Sequence, residues 1–268
     1  METLQDTTRN RLLAALPDEV CERWLHSLER VELAAGRLLY ESGVGQSWVY
    51  FPTTAVVSLV YESEDGHSAE VSLVGSEGVV GVAVFMGGGS STMNALVQAS
   101  GQALRAPART VKAAFEGSPI IRRVLLLYTQ ARATQIAQTA VCNRHHSVDQ
   151  QLCRWLLQSL DRLGGSELQM THELIANLLG VRREGVTEAA SGLQKAGLIR
   201  YARGHIAVLD RAGLEARACE CYQVVRNEYD RLLWSEALAQ GVPNRRRGIG
   251  HAHATLRADV LERRSAAR

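Results

Sequence analysis

The chain has 268 residues, 46% hydrophobic and 22% charged, which fits one large or two small globular domains and excludes a disordered or collagen-like chain. No apolar run approaches the ~20 residues needed to cross a bilayer. The polar start METLQDTTRN carries no secretory pattern, so a cytoplasmic location without a membrane partner is expected. The net charge of +2 conceals a division: 8 basic residues stand against 14 acidic ones through Ser118, and 22 against 14 from Pro119 onward. A polyanionic partner is therefore expected at the C-terminal half. Only Lys112 and Lys195 are lysines. Arginine suits bidentate contact with phosphate and guanine, although a GC-rich genome produces the same bias.

In chain order, Asn10–Leu28 has helical apolar spacing interrupted at Pro17. Short β-prone runs follow at Arg37–Tyr40, Trp48–Phe51, Ala55–Tyr61, Ala69–Val74, Val79–Phe85 and Ala95–Gln98. Glycines break them at intervals of roughly 8–12 residues, which predicts a small sandwich or barrel. Ser118-Pro119 then gives a helix start signal, an N-cap residue before proline. Ile120, Val124, Leu127, Ala131, Thr134, Gln138 and Val141 follow at alternating spacings of four and three. That heptad seam predicts a rod of about 23 residues, ~35 Å long, serving as a dimer interface or packing on its own sandwich. Ser147 with Gln150 is a capping-box signal for another helix, buried at Val148, Leu152, Trp155 and Leu156 and ending at Gly164-Gly165.

Residues Leu168–Leu209 carry the functional signal. Thr171 can cap a helix buried at Leu174, Ile175 and Leu178, Gly180 supplies a sharp turn, and a second helix follows with Val186, Ala190 and Leu193 inward. Its N-terminal end presents Arg182, Arg183, Glu184, Thr187 and Glu188, the positions that reach base edges when such a helix enters the major groove. A hairpin turning near Gly204 then offers Arg200, Arg203 and His205 to phosphates, with Thr171 and His172 beside them. Helix–turn–helix plus basic hairpin reads as a winged helix, and the expected partner is double-stranded DNA.

Leu174–Ile206, with GVRREGVTEAASGLQKAGLI at its centre, resembles the winged-helix domain of the CRP/FNR family of bacterial transcription regulators, and the order of elements extends the resemblance over about Val31 to Leu209. The resemblance implies an α+β chain: a cyclic-nucleotide-binding-like β-roll over 1–118, a dimerisation helix over 119–146, a winged helix over 147–213 and a C-terminal helix with basic tail over 214–268. It implies a homodimer on an inverted repeat, working with RNA polymerase, and an Arg–Glu pair reading guanine and cytosine, here Arg183 and Glu184. Glu188 stands where cyclic-AMP-responsive members carry a further basic reader. The implied dimer interface is Ile120, Val124, Leu127, Ala131, Thr134 and Val141.

The family's phosphate-binding turn falls on Gly78, Val79 and Gly81, with its arginine sequence on Met93 and Asn94. Val79 replaces the glutamate and Met93 the arginine, so this effector pocket is expected to be degenerate, without cyclic AMP and with no cofactor.

Other constellations are weaker. Cys21 alone lies near the N-terminus, against an iron–sulfur sensor there. Cys219-Glu-Cys221, with His145 and His146, carries no expected metal site, since C-x-C side chains diverge on a helix. His67 reads as a surface histidine rather than a haem ligand. Cys142 with His145 and His146 offers a thiol–imidazole pair but no oxyanion turn, so no enzyme is expected. A third reading is a protein-interaction module with a vestigial pocket. The tail beyond Trp234 carries seven arginines against three acids, including Arg245–Arg247, with a short helix expected near Leu256–Arg264.

Overall fold

Pro17 and the recurrent glycines divide the front half of the chain into short elements, as their backbone constraints require. In the computed structural model, which describes residues 4–234, short helices α1 (Leu4–Thr7), α2 (Arg11–Ala14) and α3 (Asp18–Leu25) come first. Strands β1 (Glu29–Leu33), β2 (Leu38–Tyr40), β3 (Trp48–Pro52), β4 (Val56–Glu62) and β5 (Ser68–Val74) follow. Helix α4 (Val82–Met86) then precedes β6 (Asn94–Ala99) and β7 (Gly101–Pro107). The seven strands make two antiparallel sheets, β1-β7-β3 and β2-β6-β4-β5. Leu33, Tyr50, Val57, Leu59, Val74, Val80 and Val97 fill one core of this roll.

The expected strand Val79–Phe85 is corrected. Only Val80 pairs, with Tyr50; Gly81 at φ 114° turns the chain, and Val82–Met86 coils to bury Val84 and Phe85. A short apolar run has no periodicity that separates a strand from a buried helical turn. β1 and β7 carry few β-branched residues and gave no such run, yet they pair over five positions from Glu29↔Arg105 to Leu33↔Gly101.

A short helix α5 (Ala108–Gly117) leads to α6 (Pro119–His145), capped by Ser118, whose Oγ accepts from the Ile121 amide at 3.4 Å. At 27 residues α6 is longer than the seam alone predicts. Helix α7 (Val148–Leu163) begins with the Ser147–Gln150 capping box and stops at Gly164 in the left-handed conformation. The remaining elements are β8 (Glu167–Gln169), α8 (His172–Leu179), α9 (Arg183–Lys195), β9 (Ile199–Ala202), β10 (His205–Val208), α10 (Arg211–Arg217) and α11 (Cys221–Leu233). β8, β10 and β9 form a third antiparallel sheet.

Helix α6 has three different faces. One packs on the roll through Ile121, Val124, Leu125, Tyr128 and Ala131. A second meets α11, where the Tyr229 ring approaches Tyr128 edge-on at 6.4 Å and its hydroxyl donates to Gln135 Oε1 at 3.0 Å. A third is open to solvent along Leu126, Gln130, Ala133, Ala137 and Val141. Of the expected seam, Val124 and Ala131 therefore lie in the chain's own core, Ile120, Leu127 and Thr134 are half-buried, and Val141 is exposed.

The winged helix docks on the outer face of the four-stranded sheet. Val60 of β4 joins its core, beside Trp155 and Leu156. Around this contact runs a buried polar chain: Ser58 Oγ lies 2.5 Å from Glu70 Oε2 and 2.8 Å from Gln98 Oε1, and Gln98 Nε2 donates to Ser159 Oγ on α7 at 3.3 Å. One serine proton cannot serve two acceptors. A protonated Glu70 completes the chain by donating to Ser58, which donates to Gln98. Burial pushes the Glu70 carboxyl up to about 7, against the lowering effects of Ser58, Arg154 and Arg162. Since the folded state keeps this proton after the unfolded chain has lost it, stability falls as pH rises from the ordinary 4.5 through about 7. Glu70→Gln is expected to remove that component, stabilising the protein at pH 8 relative to pH 5 by on the order of 3 kcal/mol, read as the wild-type-minus-variant difference in denaturant unfolding.

Candidate nucleic-acid interface

The turn between α8 and α9 is made by local chemistry. Thr171 Oγ1 accepts from the Leu174 amide at 3.2 Å, capping α8, and Gly180 at φ 67° reverses the chain. Ile175, Ala176, Leu178 and Leu179 face inward against Val186, Ala190 and Leu193 of α9. Leu174, expected inside, is instead 37% exposed, because the buried stripe of α8 lies one residue further on.

Arg182, Arg183, Glu184, Thr187 and Glu188 are all exposed at the N-terminal end of α9. Arg182 is the N-cap residue and supplies no side-chain cap; the Gly185 amide donates to the Arg182 carbonyl at 3.1 Å, which leaves the Arg183 and Glu184 amides available to an anion. Arg183 Nε lies 3.8 Å from Glu173 Oε2, and both side chains are 66% exposed. Such a pair contributes little in water, so Arg183 can leave it at small cost.

Three expected contact residues brace one another. His172 stacks on Tyr201 of the hairpin, with centroids 4.2 Å apart, and its Nδ1 lies 3.0 Å from Thr187 Oγ1. The Thr187 hydroxyl donates to the Arg183 carbonyl at 3.0 Å, so it accepts from His172 Nδ1–H. Burial, then the Arg183 charge, holds the imidazole below its usual range and hence neutral near pH 7. His172 thereby ties α8, α9 and the hairpin into one surface. At the hairpin tip Arg203 (φ 51°) and Gly204 (φ 80°) make a two-residue turn of positive φ, and Arg200, Arg203 and His205 are exposed beside it.

The roll's turn is occupied from within. Val79 is fully buried, and Tyr128 of α6 donates to its carbonyl at 3.2 Å. A Cβ on Gly78 would stand 2.6 Å from that hydroxyl, and Gly81 turns against Val49. Asn94 accepts from the Ser42 amide at 2.8 Å and donates to Glu62, while Met93 is half-buried at the roll's core. Sequence reasoning missed Glu77, directly before this turn: its carboxylate accepts from Arg162 Nε of α7 at 2.7 Å, with both side chains largely buried. It also missed an open cleft of about 390 Å³ between α7, α11 and this turn, lined by Arg11, Glu77, Asp161, Arg162, Tyr222 and Arg226 among others.

His67 is 87% exposed beside Asp65. Cys142 is buried, and its thiol is pushed up by the hydrogen bond with Cys219 and by burial, the reverse of an activated nucleophile. Burial also raises Cys21 to about 11 and Cys153 to about 12. The helical reading of Leu214–Val225 needs correction: the helix breaks at Ala218, so Cys219 precedes α11 while Cys221 begins it, and the two thiols converge on Cys142 and His146. Arg245–Arg247 and the helix expected near Leu256–Arg264 lie outside the described residues.

A double-sheet roll, a long helix and a winged helix with outward arginines define a chain of the winged helix–turn–helix DNA-binding class. Residues 150–217 match the family model of the Crp-like helix-turn-helix domain, the part of the chain that carries the CRP/FNR resemblance. The fold is that of CRP/FNR regulators of known structure. The chain superposes on a putative crp/fnr-family transcriptional regulator from Eubacterium rectale with a TM-score of 0.63 at 18% identity, covering 81% of this chain and 99% of that one. FixK2 from Bradyrhizobium japonicum gives 0.63 at 17% identity, over 72% and 98% of the two chains. The c-di-GMP responsive global regulator CLP from Xanthomonas campestris gives 0.57 at 17%, over 72% and 99%. No match is found among curated proteins. Among the described residues no helix is long and apolar enough to cross a membrane.

Gly180 carries both the turn and the docking contact, since a Cβ there would stand 3.3 Å from Ala69 Cβ in a left-handed backbone. Gly180→Ala is expected to cost about 1–2 kcal/mol in denaturant unfolding.

Proposed function

We propose that this protein is a homodimeric, sequence-specific transcription regulator that binds an inverted-repeat operator through α9. The observation that carries this reading is the exposed Arg183–Glu184 pair at the uncapped start of α9, flanked by the Arg200–Arg203–His205 wing. A guanidinium fork matches guanine O6 and N7, and a carboxylate accepts from cytosine N4, while the wing and the α9 amides hold phosphates. Arg182, Thr187 and Glu188 complete the base-facing set, and Thr171 lies at its phosphate edge. RNA polymerase is the further partner of such a regulator, in the cytoplasm. The roll acts as an effector domain that does not take cyclic AMP at the usual turn, because Val79 and Tyr128 fill that place and Met93 offers no charge.

The dimer forms along the open face of α6, Leu126, Gln130, Ala133, Ala137 and Val141, flanked by Leu127 and Thr134. Apolar ends with small residues between them allow two such helices to approach closely. The pairing sets two α9 helices about one DNA turn, ~34 Å, apart. Neither a catalytic group nor a vestigial interaction surface accounts for the outward arginines as directly.

Selection of bound duplexes from a random pool is expected to yield a two-fold-related repeat. Arg183→Ala should weaken binding to that site by ~1–3 kcal/mol and relax the preference at one base pair per half-site; an equal loss on random duplex would make Arg183 a phosphate contact instead. Ala137→Glu places like charges across the proposed seam and is expected to give monomers by light scattering. A variant that stays dimeric would move the interface elsewhere.

A further inference from the structure

Cys142 lies in the last turn of α6 and His146 is its C-cap residue, in extended conformation (φ -106°, ψ 153°), and the break before α11 brings Cys219 and Cys221 to meet them. The four donor atoms lie within 4.8 Å of one another. Cys142 Sγ stands 3.5 Å from Cys219 Sγ, and Cys221 Sγ stands 3.6 Å from His146 Nδ1. All three thiols are buried and the imidazole nearly so, forming a cluster apart from the apolar cores.

We propose that Cys142, His146, Cys219 and Cys221 bind one zinc ion as a closed tetrahedral site. The spacing identifies the ion. Zinc–sulfur and zinc–nitrogen bonds of about 2.3 and 2.0 Å at tetrahedral angles give edges of about 3.8 Å between sulfurs and about 3.5 Å from sulfur to nitrogen. An iron–sulfur cluster divides its four ligands among two or more iron atoms and so spreads the set further than a single ion does. Three thiolates and an imidazole favour zinc over calcium or magnesium, which require oxygen donors.

The surroundings fit the ion independently. His146 Nδ1 faces the thiols while its Nε2 lies 3.4 Å from Glu220 Oε2, the carboxylate–histidine–metal arrangement that fixes the ring and its tautomer. Gln151 Nε2 donates to the His146 carbonyl at 2.9 Å and holds the backbone. With three thiolates and a neutral imidazole around one Zn(II) ion, the loaded site carries a net single negative charge. With all four positions taken by side chains, the site is structural: it pins the start of α11 to the His146–Ser147 joint between α6 and α7.

The test is the metal content of the untagged full chain, purified under reducing conditions without chelator and measured by plasma mass spectrometry. About one zinc per chain is expected, with loss in Cys219→Ser and Cys221→Ser and retention in Cys153→Ser. Cobalt exchanged into the wild-type protein needs no variant to fold, and should show the intense visible bands and thiolate charge-transfer absorption of a tetrahedral thiolate-rich site. Zinc absent from the wild type, iron with visible cluster absorption, or a Cys142–Cys219 disulfide in the protein as isolated would each overturn the proposal. These readouts use no DNA, so they stand or fall apart from the operator reading.

Discussion

The geometry of the exposed α8–α9–hairpin surface depends on how α7 is held against the roll. The Glu77–Arg162 ion pair is one such tie, with both charges largely withdrawn from water and each satisfying the other. Burying such a pair adds little net stability over an apolar contact, but breaking it strands a buried charge, which costs several kcal/mol. On the Gly75 side the packing is close: a Cβ there would stand 2.7 Å from the Arg162 Cβ. Parallel to the pair, the chain Ser58–Glu70–Gln98–Ser159 joins β4, β5 and β6 to the same helix. A movement of the winged helix away from the roll must open both sets together.

The same contact explains why the turn that serves as a phosphate cradle in the resembled family is a structural joint here. Glu77 precedes Gly78 and Val79, and Tyr128 of α6 closes over them. Roll, long helix and winged helix therefore meet at one short segment. Displacement there acts on α6 through Tyr128 and on α7 through Arg162 at once.

Much of this was legible in the sequence where the signal was local. Ser118-Pro119, the Ser147–Gln150 box, Thr171, Gly180 and Gly204 each fix their own turn, and the structure places each in that role. The exposed set at the start of α9 follows from the same local reading. The heptad on α6 was ambiguous for a physical reason. An apolar stripe states that something covers it, not what, and α6 has three neighbours to satisfy: the roll, α11 and the open side. Val124 and Ala131 went to the roll. Leu174 and the Val79–Phe85 run failed for want of a periodicity long enough to set their phase or type. Glu77 with Arg162, and the cysteine–histidine cluster, join residues 85 and about 75 positions apart, beyond the reach of any spacing rule.

Helix α7 is thus constrained at both ends by different chemistry. Its C-terminal end is tied to the roll through Arg162. Its start follows the joint at His146, where the thiol–imidazole cluster gathers α6 and α11, and Asp149 in its first turn holds Arg217 of α10 at 2.8 Å. A helix clamped at one end can pivot; one clamped at both transmits a displacement along its axis to whatever is built on it. What is built on α7 is α9, through Val186, Ala190 and Leu193 against Leu152, Trp155 and Leu156. The placement of Arg183 and Glu184 at the exposed start of α9 is therefore tied to the roll at one end of α7 and to the α6–α11 joint at the other. Loosening either end shifts that placement without touching either residue.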